Sequence, residues 1–562
     1  MDILIYFVMH IPYILLRTLE SERMVFYKTL NNQDWLIPPR IEDIIENDHL
    51  CYIVALVVDD MDFSDIEKEH DGPGHPTFPP NILIKIILMG TIDGILSSRK
   101  LQKNAKQDVV YMYLAEKMRP DFRTISDFRK NNPELIEACF KKVVAFARDL
   151  GMVRLGHISI DGTKIKANAS KSKTFTKEEL EFLDEFIKKE IQQGILEDES
   201  EDEEYGQNNT GYELPDHVRS TENIKQCLKK KLKESRINEK SRRRVMKKAE
   251  EYLDGDISKK QKLKKQIENG LEILETSECR LLNFTDPDSR LMKNKQGVFD
   301  QEYNGQIAVD SEEKIIIAAD VCQSAVDTNE LIPMIENTEA VVGKLPEGTE
   351  VSADNGYFSG ENVHQLEERK IDGYIPNSEQ AQKMNGKALK QNRFGKESFE
   401  YDTQNDWYIC PNGKLLRFYY EYYDKQLKRT IRGYRCYDCD DCPSKTDCIA
   451  NEGKNFKRIH SDNYEGCRRR MKQKMDTELG RTKYKNRGKN VEHPFGDIKG
   501  NMKLRSFLTR RKPGVKTEFK LACIAHNIKR IGTFIRKEYM NIKQYIQSVK
   551  SYGIKCRMCL TS

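Results

Sequence analysis

Three acidic residues far apart in the sequence stand where their carboxylates could act together. Asp161 closes a predicted strand in Ser-Ile-Asp-Gly-Thr, with Gly162 allowing a sharp exit, and Asp354 closes another in Ala-Asp-Asn-Gly-Tyr. Glu492 lies further on, in a basic helical stretch. Alone, an Asp-Gly pair usually opens a turn and a surface glutamate usually pairs with a lysine. The combination of the three predicts a catalytic site.

Three neighbouring carboxylates repel one another and stay ionised only beside cations. Magnesium takes oxygen ligands and keeps positions open for water and phosphate oxygens. Two such ions about 3.5–4 Å apart can hold the attacking and leaving oxygens of a phosphoryl displacement. Basic residues around Glu492 would hold a phosphate backbone. The pattern therefore predicts phosphodiester cleavage or exchange on nucleic acid.

The predicted elements bring the two aspartates to one sheet. After the Asp161 strand, residues 303–310 and 314–321 form a predicted hairpin, followed by a helix over 328–342. The strand that ends at Asp354 comes next, and residues 373–376 form a further short strand. This order predicts an α/β fold, a mixed sheet with helices on its faces, in which the first and fourth strands are neighbours.

Two regions outside this sheet have helical or charged patterns. Residues 38–150 are predicted to be all-helical, with Thr124–Asp127 as a helix-start signal. They form either a DNA-binding module or helices whose charged faces only contact solvent. Residues 176–278 contain the acidic run Glu197–Glu204 followed by basic stretches. They predict an insertion of one or two exposed helices with a disordered acidic tip.

Five cysteines cluster in a segment that separates the sheet from the last helices. Structural zinc takes four thiolates, so one thiol would be spare, while the tight Cys-x2-Cys-x2-Cys run also leaves an iron–sulfur cluster or no metal open. The five candidate ligands are Cys410, Cys436, Cys439, Cys442 and Cys448.

Composition sets the broad class of protein. The 562 residues can hold several cores, and 94 basic against 89 acidic residues leave a net charge of only +5. A face that binds a polyanion must therefore come from clustering of charges. The apolar run near Met1 is too short for a membrane span, and Met24 is an alternative start. We expect a cytoplasmic protein without a membrane segment.

From about Trp35 to Phe534 the chain resembles bacterial insertion-sequence transposases of the DDE class. Asp161, Asp354 and Glu492 match the three carboxylates of that family. The conserved residues around the glutamate match Tyr484, Arg487 and Lys499, although the gap from arginine to glutamate is one residue longer than in some relatives. The hairpin residues Tyr303, Asn304 and Gln306 and the Cys-rich insert are similar to one subgroup.

The resemblance implies an RNase H-like catalytic domain and a reaction. Water cleaves at the element's ends and frees a 3′-hydroxyl, which the same site joins to target DNA, with two Mg²⁺ or Mn²⁺ ions. The partners are double-stranded DNA, both terminal inverted repeats and target, and a second copy of the chain in a homodimer or larger assembly. The expected DNA-binding residues are Tyr484, Arg487, Lys499, Arg505 and Arg510. The alternatives are a catalytically silent or repurposed DNA-binding protein and an RNase H-like nuclease.

The expected organisation has six parts. They are an N-terminal extension over 1–37, a helical DNA-binding domain over 38–150, the first part of the catalytic domain over 151–376 with a charged helical insertion at 176–278, a Cys-rich insertion over 377–467, catalytic helices over 468–540, and a tail over 541–562.

Overall fold

The computed structural model divides the chain into two compact units, residues 1–45 and 46–562. The expected N-terminal extension lies outside the described residues. No helix of the described part is both long enough and apolar enough to cross a membrane. The structure describes residues 40–68, 77–205, 221–276, 279–294, 296–386, 394–402, 404–425, 429–449, 455–539 and 541–551.

Helices dominate the described chain. Their bounds are α1 Ile41–Ile44, α2 Cys51–Asp59, α3 Ser64–Lys68, α4 Pro80–Ile92, α5 Ser98–Gln107, α6 Val109–Leu114, α7 Phe122–Asn131, α8 Pro133–Asp149, α9 Lys177–Tyr205, α10 Thr221–Glu234, α11 Glu239–Leu253, α12 Ile257–Thr276, α13 Leu331–Val342, α14 Gly360–Glu368, α15 Ser378–Met384, α16 Lys445–Cys448, α17 Glu465–Asp476, α18 Glu478–Gly496, α19 Lys512–Glu538 and α20 Ile542–Ser551.

The strands form a central mixed sheet, a second antiparallel sheet and one isolated pair. Their bounds are β1 His157–Lys166, β2 Thr174–Thr176, β3 Leu281–Asn283, β4 Arg290–Lys293, β5 Phe299–Asp310, β6 Ile316–Cys322, β7 Glu350–Ser352, β8 Asp372–Tyr374, β9 Glu400–Asp402, β10 Trp407–Ile409, β11 Leu415–Asp424, β12 Arg429–Cys436 and β13 Lys457–Asp462.

Strand β1 lies at the centre of the mixed sheet, antiparallel to β5 on one side and parallel to β7 on the other. The order continues from β7 to β8, while β4 and β6 both pair with β5. Because Ser159 of β1 pairs with Ser352 of β7, the predicted neighbourhood of the first and fourth strands is confirmed. The expected α/β class, with a helical N-terminal region, is confirmed as well.

The predicted end of the first strand at Asp161 is wrong. Strand β1 continues to Lys166, because β5 pairs along its whole length and Gly162 stays in the ladder opposite Gln306. The parallel partner β7 stops earlier, opposite Ser159. Asp161 therefore lies within a long strand but just beyond the last residue pair with β7.

The N-terminal helices share a core with the C-terminal part of the chain. Helix α19 packs against α4, α8 and β6. The predicted helix start at Thr124 is wrong, because the Asp121 carboxylate caps α7 one turn earlier by accepting from the backbone N–H groups of Arg123 and Thr124.

The charged insertion is a helical subdomain rather than an exposed arm. Helices α9 to α12 enclose an apolar core that includes Leu183, Val245 and Ile267. The prediction of one or two exposed helices is wrong because apolar residues that are sparse in each helix meet across four of them. The acidic run is the last part of α9 rather than a disordered tip.

The Cys-rich segment forms the antiparallel sheet β9 to β13, followed by α17. Glu465 at the start of α17 accepts hydrogen bonds from Lys396 Nζ at 2.5 Å and Arg468 Nη2 at 2.9 Å. Burial alone would raise the pKa of Glu465, but these two cations lower it to about 2. The carboxylate therefore stabilises the fold when it is ionised.

We expect the Glu465 contribution to be complete above the unfolded-state pKa and to be lost as the pH falls towards 2. In urea unfolding followed by fluorescence of Trp407 in β10, wild type should lose about 3 kcal/mol more stability than Glu465→Gln between pH 5 and 2. Glu478→Gln, an exposed residue in the first turn of α18, is the matched control. Equal acid sensitivity of wild type and Glu465→Gln would contradict the assignment.

Candidate active site

One side of β1 is covered by α18 and by the π-helical turn Asp497–Asn501 that continues it. Ser159, Asp161 and Thr163 alternate along the strand and so face the same side. Asn490 Nδ2 donates to Ser159 Oγ at 3.1 Å, and Lys499 Nζ donates to Thr163 Oγ1 at 2.6 Å. The basic helix predicted from the sequence is thus fixed across the centre of the sheet.

Asp161 is largely buried between these two contacts. Arg487 Nη1 of α18 lies 3.0 Å from Asp161 Oδ2. Burial raises the pKa of Asp161 to about 6; Arg487 acts against the rise and the charge of Asp354 adds to it. The Nε atom of Arg487 is buried and has no hydrogen-bond partner among the described residues. The site thus holds a carboxylate whose ionisation is costly and a buried arginine nitrogen without a hydrogen-bond partner.

Asp354 lies in the turn after β7. Its carboxylate accepts a hydrogen bond from Gly356 N at 2.7 Å and begins the 3₁₀ turn Asn355–Tyr357. Its charge is close enough to raise the pKa of Asp161. The structure therefore brings together the two aspartates that the sequence predicted.

Glu492 is exposed on α18, and no hydrogen bond or ion pair joins it to either aspartate within the described residues. Arg487 and Asn490, which contact β1, lie five and two residues before Glu492, so Glu492 is about 140–160° around the helix from both. The side of α18 that carries Glu492 therefore points away from the strand that carries Asp161.

The end of α18 is anchored by a residue that sequence reasoning missed. Asp497 is buried, accepts from Lys529 Nζ at 2.5 Å and from Asn501 Nδ2 at 2.7 Å, and lies 3.1 Å from His526 Nδ1. Burial alone would raise its pKa, but these partners hold the pKa of Asp497 far below its usual range. In the sequence Asp497 looked like one more polar residue between Glu492 and Lys499.

A second polar network lies on the opposite side of β1. The side-chain amides of Asn304 and Gln306 both donate to Asp327 Oδ1 at 2.7 Å. A Cβ atom on Gly162 would lie 2.8 Å from that same oxygen. Gly162 is therefore needed for space, and the predicted sharp exit at this glycine is wrong because it remains extended in the ladder.

This network reaches the turn that holds Asp354. Tyr357 donates its hydroxyl to Gln306, and Thr328 Oγ1 donates to the Gly356 carbonyl at 2.9 Å. Sequence reasoning missed Asp327 and Thr328 because they read as the start of the helix that follows the hairpin. They position the Asp354 turn against β1 and β5.

The predicted DNA-binding residues fall into three groups. Tyr484 is buried, and the Arg487 guanidinium lies 5.4 Å from its ring centroid, so both face the interior. Lys499 and Arg505 line a cleft beside β1 with Lys164, Lys166 and Lys293. Arg510 lines a separate cleft, next to the helical subdomain.

The five cysteines converge at one end of the second sheet. Cys436 and Cys439 are buried in an apolar cluster, with Cys410 and Cys448 packed against it. Cys442 Sγ accepts from Asn412 Nδ2 at 3.2 Å, which places it beside the loop after Cys410. The convergence fits a shared structural role, and zinc binding stays a prediction.

One other group of possible metal ligands consists of His364, Glu367 and Cys467. Among the described residues, it is the one group of three or more His, Cys, Asp or Glu side chains whose ligand atoms all lie within 4.8 Å of one another. Arg470 already pairs with Glu367, at 2.6 and 2.9 Å, and its Nη2 lies 3.4 Å from Cys467 Sγ. The charge of this cluster is therefore compensated by an arginine.

Comparison with known proteins finds family matches for two segments of the chain. Residues 39–131 match the family described as Transposase domain (DUF772), and residues 409–532 match the family described as Transposase DDE domain. The second match contains Glu492 and Lys499, whereas Asp161 and Asp354 precede it. No curated protein and no solved structure matches the chain. The two matches in one chain identify it as a member of the insertion-sequence DDE transposases, a DNA transposase.

Proposed function

We propose that this transposase cleaves phosphodiester bonds at the ends of its element and joins the freed 3′-hydroxyl to target DNA. Asp161, Asp354 and Glu492 are the proposed catalytic carboxylates. The observation that carries the proposal is the convergence of Asp161 and Asp354 beneath the helix that bears Glu492. The charge of Asp354 raises the cost of ionising Asp161, which is typical of a site built to bind cations.

The donor set fits hard divalent ions, because all three side chains offer carboxylate oxygens. Bound there, two Mg²⁺ or Mn²⁺ ions would lower the pKa of water and stabilise the leaving oxygen. Arg487 compensates the charge of Asp161 in the described structure. Because its guanidinium faces the interior, Arg487 would act by holding Asp161 rather than by contacting the DNA.

The cleft beside β1 supplies the binding surface. Lysine and arginine side chains from β1, from β4 and from the segment after α18 line it, together with the acidic residues Asp300, Glu302 and Asp327. Gly162, the neighbour of Asp161, also lines it, so a DNA backbone held by these cations would pass near Asp161. The helical front over 38–150 and a second copy of the chain complete the proposed complex on paired inverted repeats. Fixed donors of this kind orient the scissile phosphate for in-line attack.

A second candidate is a DNA-binding protein without catalysis. The outward position of Glu492 favours it, because two carboxylates alone complete no triad. A strand-transfer assay separates the candidates: joining of a pre-cleaved 3′-end to a plasmid requires the enzyme. An RNase H-like nuclease would cleave without joining.

We expect Asp161→Asn, Asp354→Asn and Glu492→Gln each to lower the rate of Mg²⁺-dependent end cleavage by about a thousandfold or more. Binding to the element ends should remain, since each change removes a charge but little volume. Cleavage is measured on a labelled inverted-repeat substrate and binding by gel shift.

The matched control is Asp320→Asn, which removes a surface carboxylate of β6 paired with Lys516. It should cleave at the wild-type rate. Full cleavage by one of the three test variants would remove that residue from the site.

The basic cleft should give DNA binding a steep dependence on salt. We expect Lys499→Ala and Arg505→Ala each to reduce the slope of log K against log[salt] by about one. Lys370→Ala, an exposed lysine paired with Glu347, should leave the slope unchanged. An unchanged slope in both test variants would argue against a phosphate contact at this cleft.

The Cys-rich segment should hold about one zinc ion per chain, measured by metal analysis of the purified protein. Cys436→Ser should lose most of the metal, whereas Cys227→Ser, an exposed cysteine of the helical subdomain, should keep it. Less than about half an equivalent of zinc in wild type would contradict the zinc assignment. If the purified protein instead contains iron and absorbs visible light, the assignment changes from zinc to an iron–sulfur cluster.

A further inference from the structure

The outer face of the second sheet carries arginines and aromatic rings from three adjacent strands. Arg435 of β12 pairs directly with Arg417 of β11 and with Arg458 of β13. Two residues before Arg435 on β12, and so on the same face, Gly433 lies between Tyr420 of β11 and His460 of β13. We call this surface the aromatic–arginine face; its members are Arg417, Tyr419, Tyr420, Tyr422, Gly433, Arg435, Tyr437, Phe456, Arg458 and His460.

The three arginines stand in one row without a compensating acid. Like charges directly opposite one another destabilise a sheet. None of the three forms an ion pair within the described residues. Two acidic residues of the same sheet pair with other arginines: Glu421 with Arg432, and Asp462 with Arg468. The row is therefore a cationic surface that an anion would stabilise.

Aromatic rings hold two of these arginines, Arg435 and Arg458, in place. The Arg435 guanidinium carbon lies 3.5 Å from the ring centroid of Phe456 and 5.3 Å from that of Tyr419. The Arg458 guanidinium carbon lies 5.4 Å from the Tyr420 ring centroid. Such cation–π contacts fix the guanidinium groups and leave their charge uncompensated.

The tyrosines are oriented and open to solvent. Tyr419, Tyr422 and Tyr437 keep 47%, 46% and 56% of their surface exposed. Tyr420 lies over Gly433, where a Cβ atom would collide with its ring, and stacks on Tyr422 with centroids 5.9 Å apart. The bulge between Phe418 and Tyr420 turns Tyr419 to the same side.

We propose that the aromatic–arginine face binds unpaired DNA, with bases stacked on the tyrosines and phosphates held by the arginines. Exposed rings beside arginines are the pattern that single-stranded nucleic acid requires, whereas the base faces of an intact duplex are already stacked. The proposal rests on the proposed function, since single strands and distorted ends arise during cleavage and joining. It assigns the Cys-rich insertion a direct part in holding them.

The test measures binding of the full chain to a labelled oligothymidine of about fifteen nucleotides, by fluorescence anisotropy at low salt. A duplex of equal length is the comparison, and EDTA excludes cleavage. We expect the double variant Tyr419→Ala/Tyr422→Ala to bind the single strand at least about fivefold more weakly and the duplex nearly as wild type does. Arg458→Ala should weaken single-strand binding and reduce its salt dependence.

The matched control is Tyr423→Ala. Tyr423 is 60% exposed and lies on the same strand, where it pairs with Thr430 of β12. Its side chain is on the other face of the sheet from Tyr422. It should bind like wild type, and circular dichroism checks that all variants fold. Single-strand affinity within about twofold of wild type in both the double variant and Arg458→Ala would overturn the proposal. Equal weakening for single strand and duplex would overturn the preference for unpaired bases.

This result is independent of the catalytic assignment. Oligothymidine binding is measured in EDTA, without metal ions, so loss of this binding and loss of cleavage are separate results. Normal cleavage by the three carboxylate variants would overturn the proposed function. It would not overturn the proposal that the aromatic–arginine face binds unpaired DNA.

Discussion

The ion pair between Asp161 and Arg487 joins the middle of the central sheet to the helix that covers it. A buried carboxylate is costly without a partner, and the neighbouring Asp354 raises that cost. Arg487 meets it from α18, which obliges this helix to cross the sheet at that point. The same contact lies next to the pairing of β1 with β7 and next to Asp354, so it joins the helix to the part of the sheet where the two aspartates meet.

The supports of this pair lie on both sides of the strand. On the α18 side, Asn490 and Lys499 contact β1, and Asp497 ties the end of the helix to α19. On the other side, Asp327 gathers two amides of β5 next to Gly162. Both sets consist of short, buried or partly buried polar contacts, which keep one geometry once they are satisfied. The carboxylates consequently sit on a rigid base, while Glu492 remains at the surface.

Much of this arrangement could be predicted from the sequence, because it follows from local patterns. Alternating apolar residues and the order of elements were enough to place the strand of Asp161 beside that of Asp354. The remaining features depend on partners distant in the chain. The extension of β1 past Asp161 is imposed by β5, and the core of the helical subdomain forms only when four helices meet. Asp327 and Asp497 look ordinary until their amide, histidine and lysine partners are placed around them.

Helix α19 belongs to two cores at once. Its apolar side chains pack against α4 and α8 as well as β6, and its Lys520 pairs with Glu137 of α8. Removing the N-terminal helices would therefore expose the apolar side of α19 to solvent. The N-terminal helices therefore cannot be exchanged for an unrelated domain without loss of this core. We expect their sequence and that of α19 to change together during evolution.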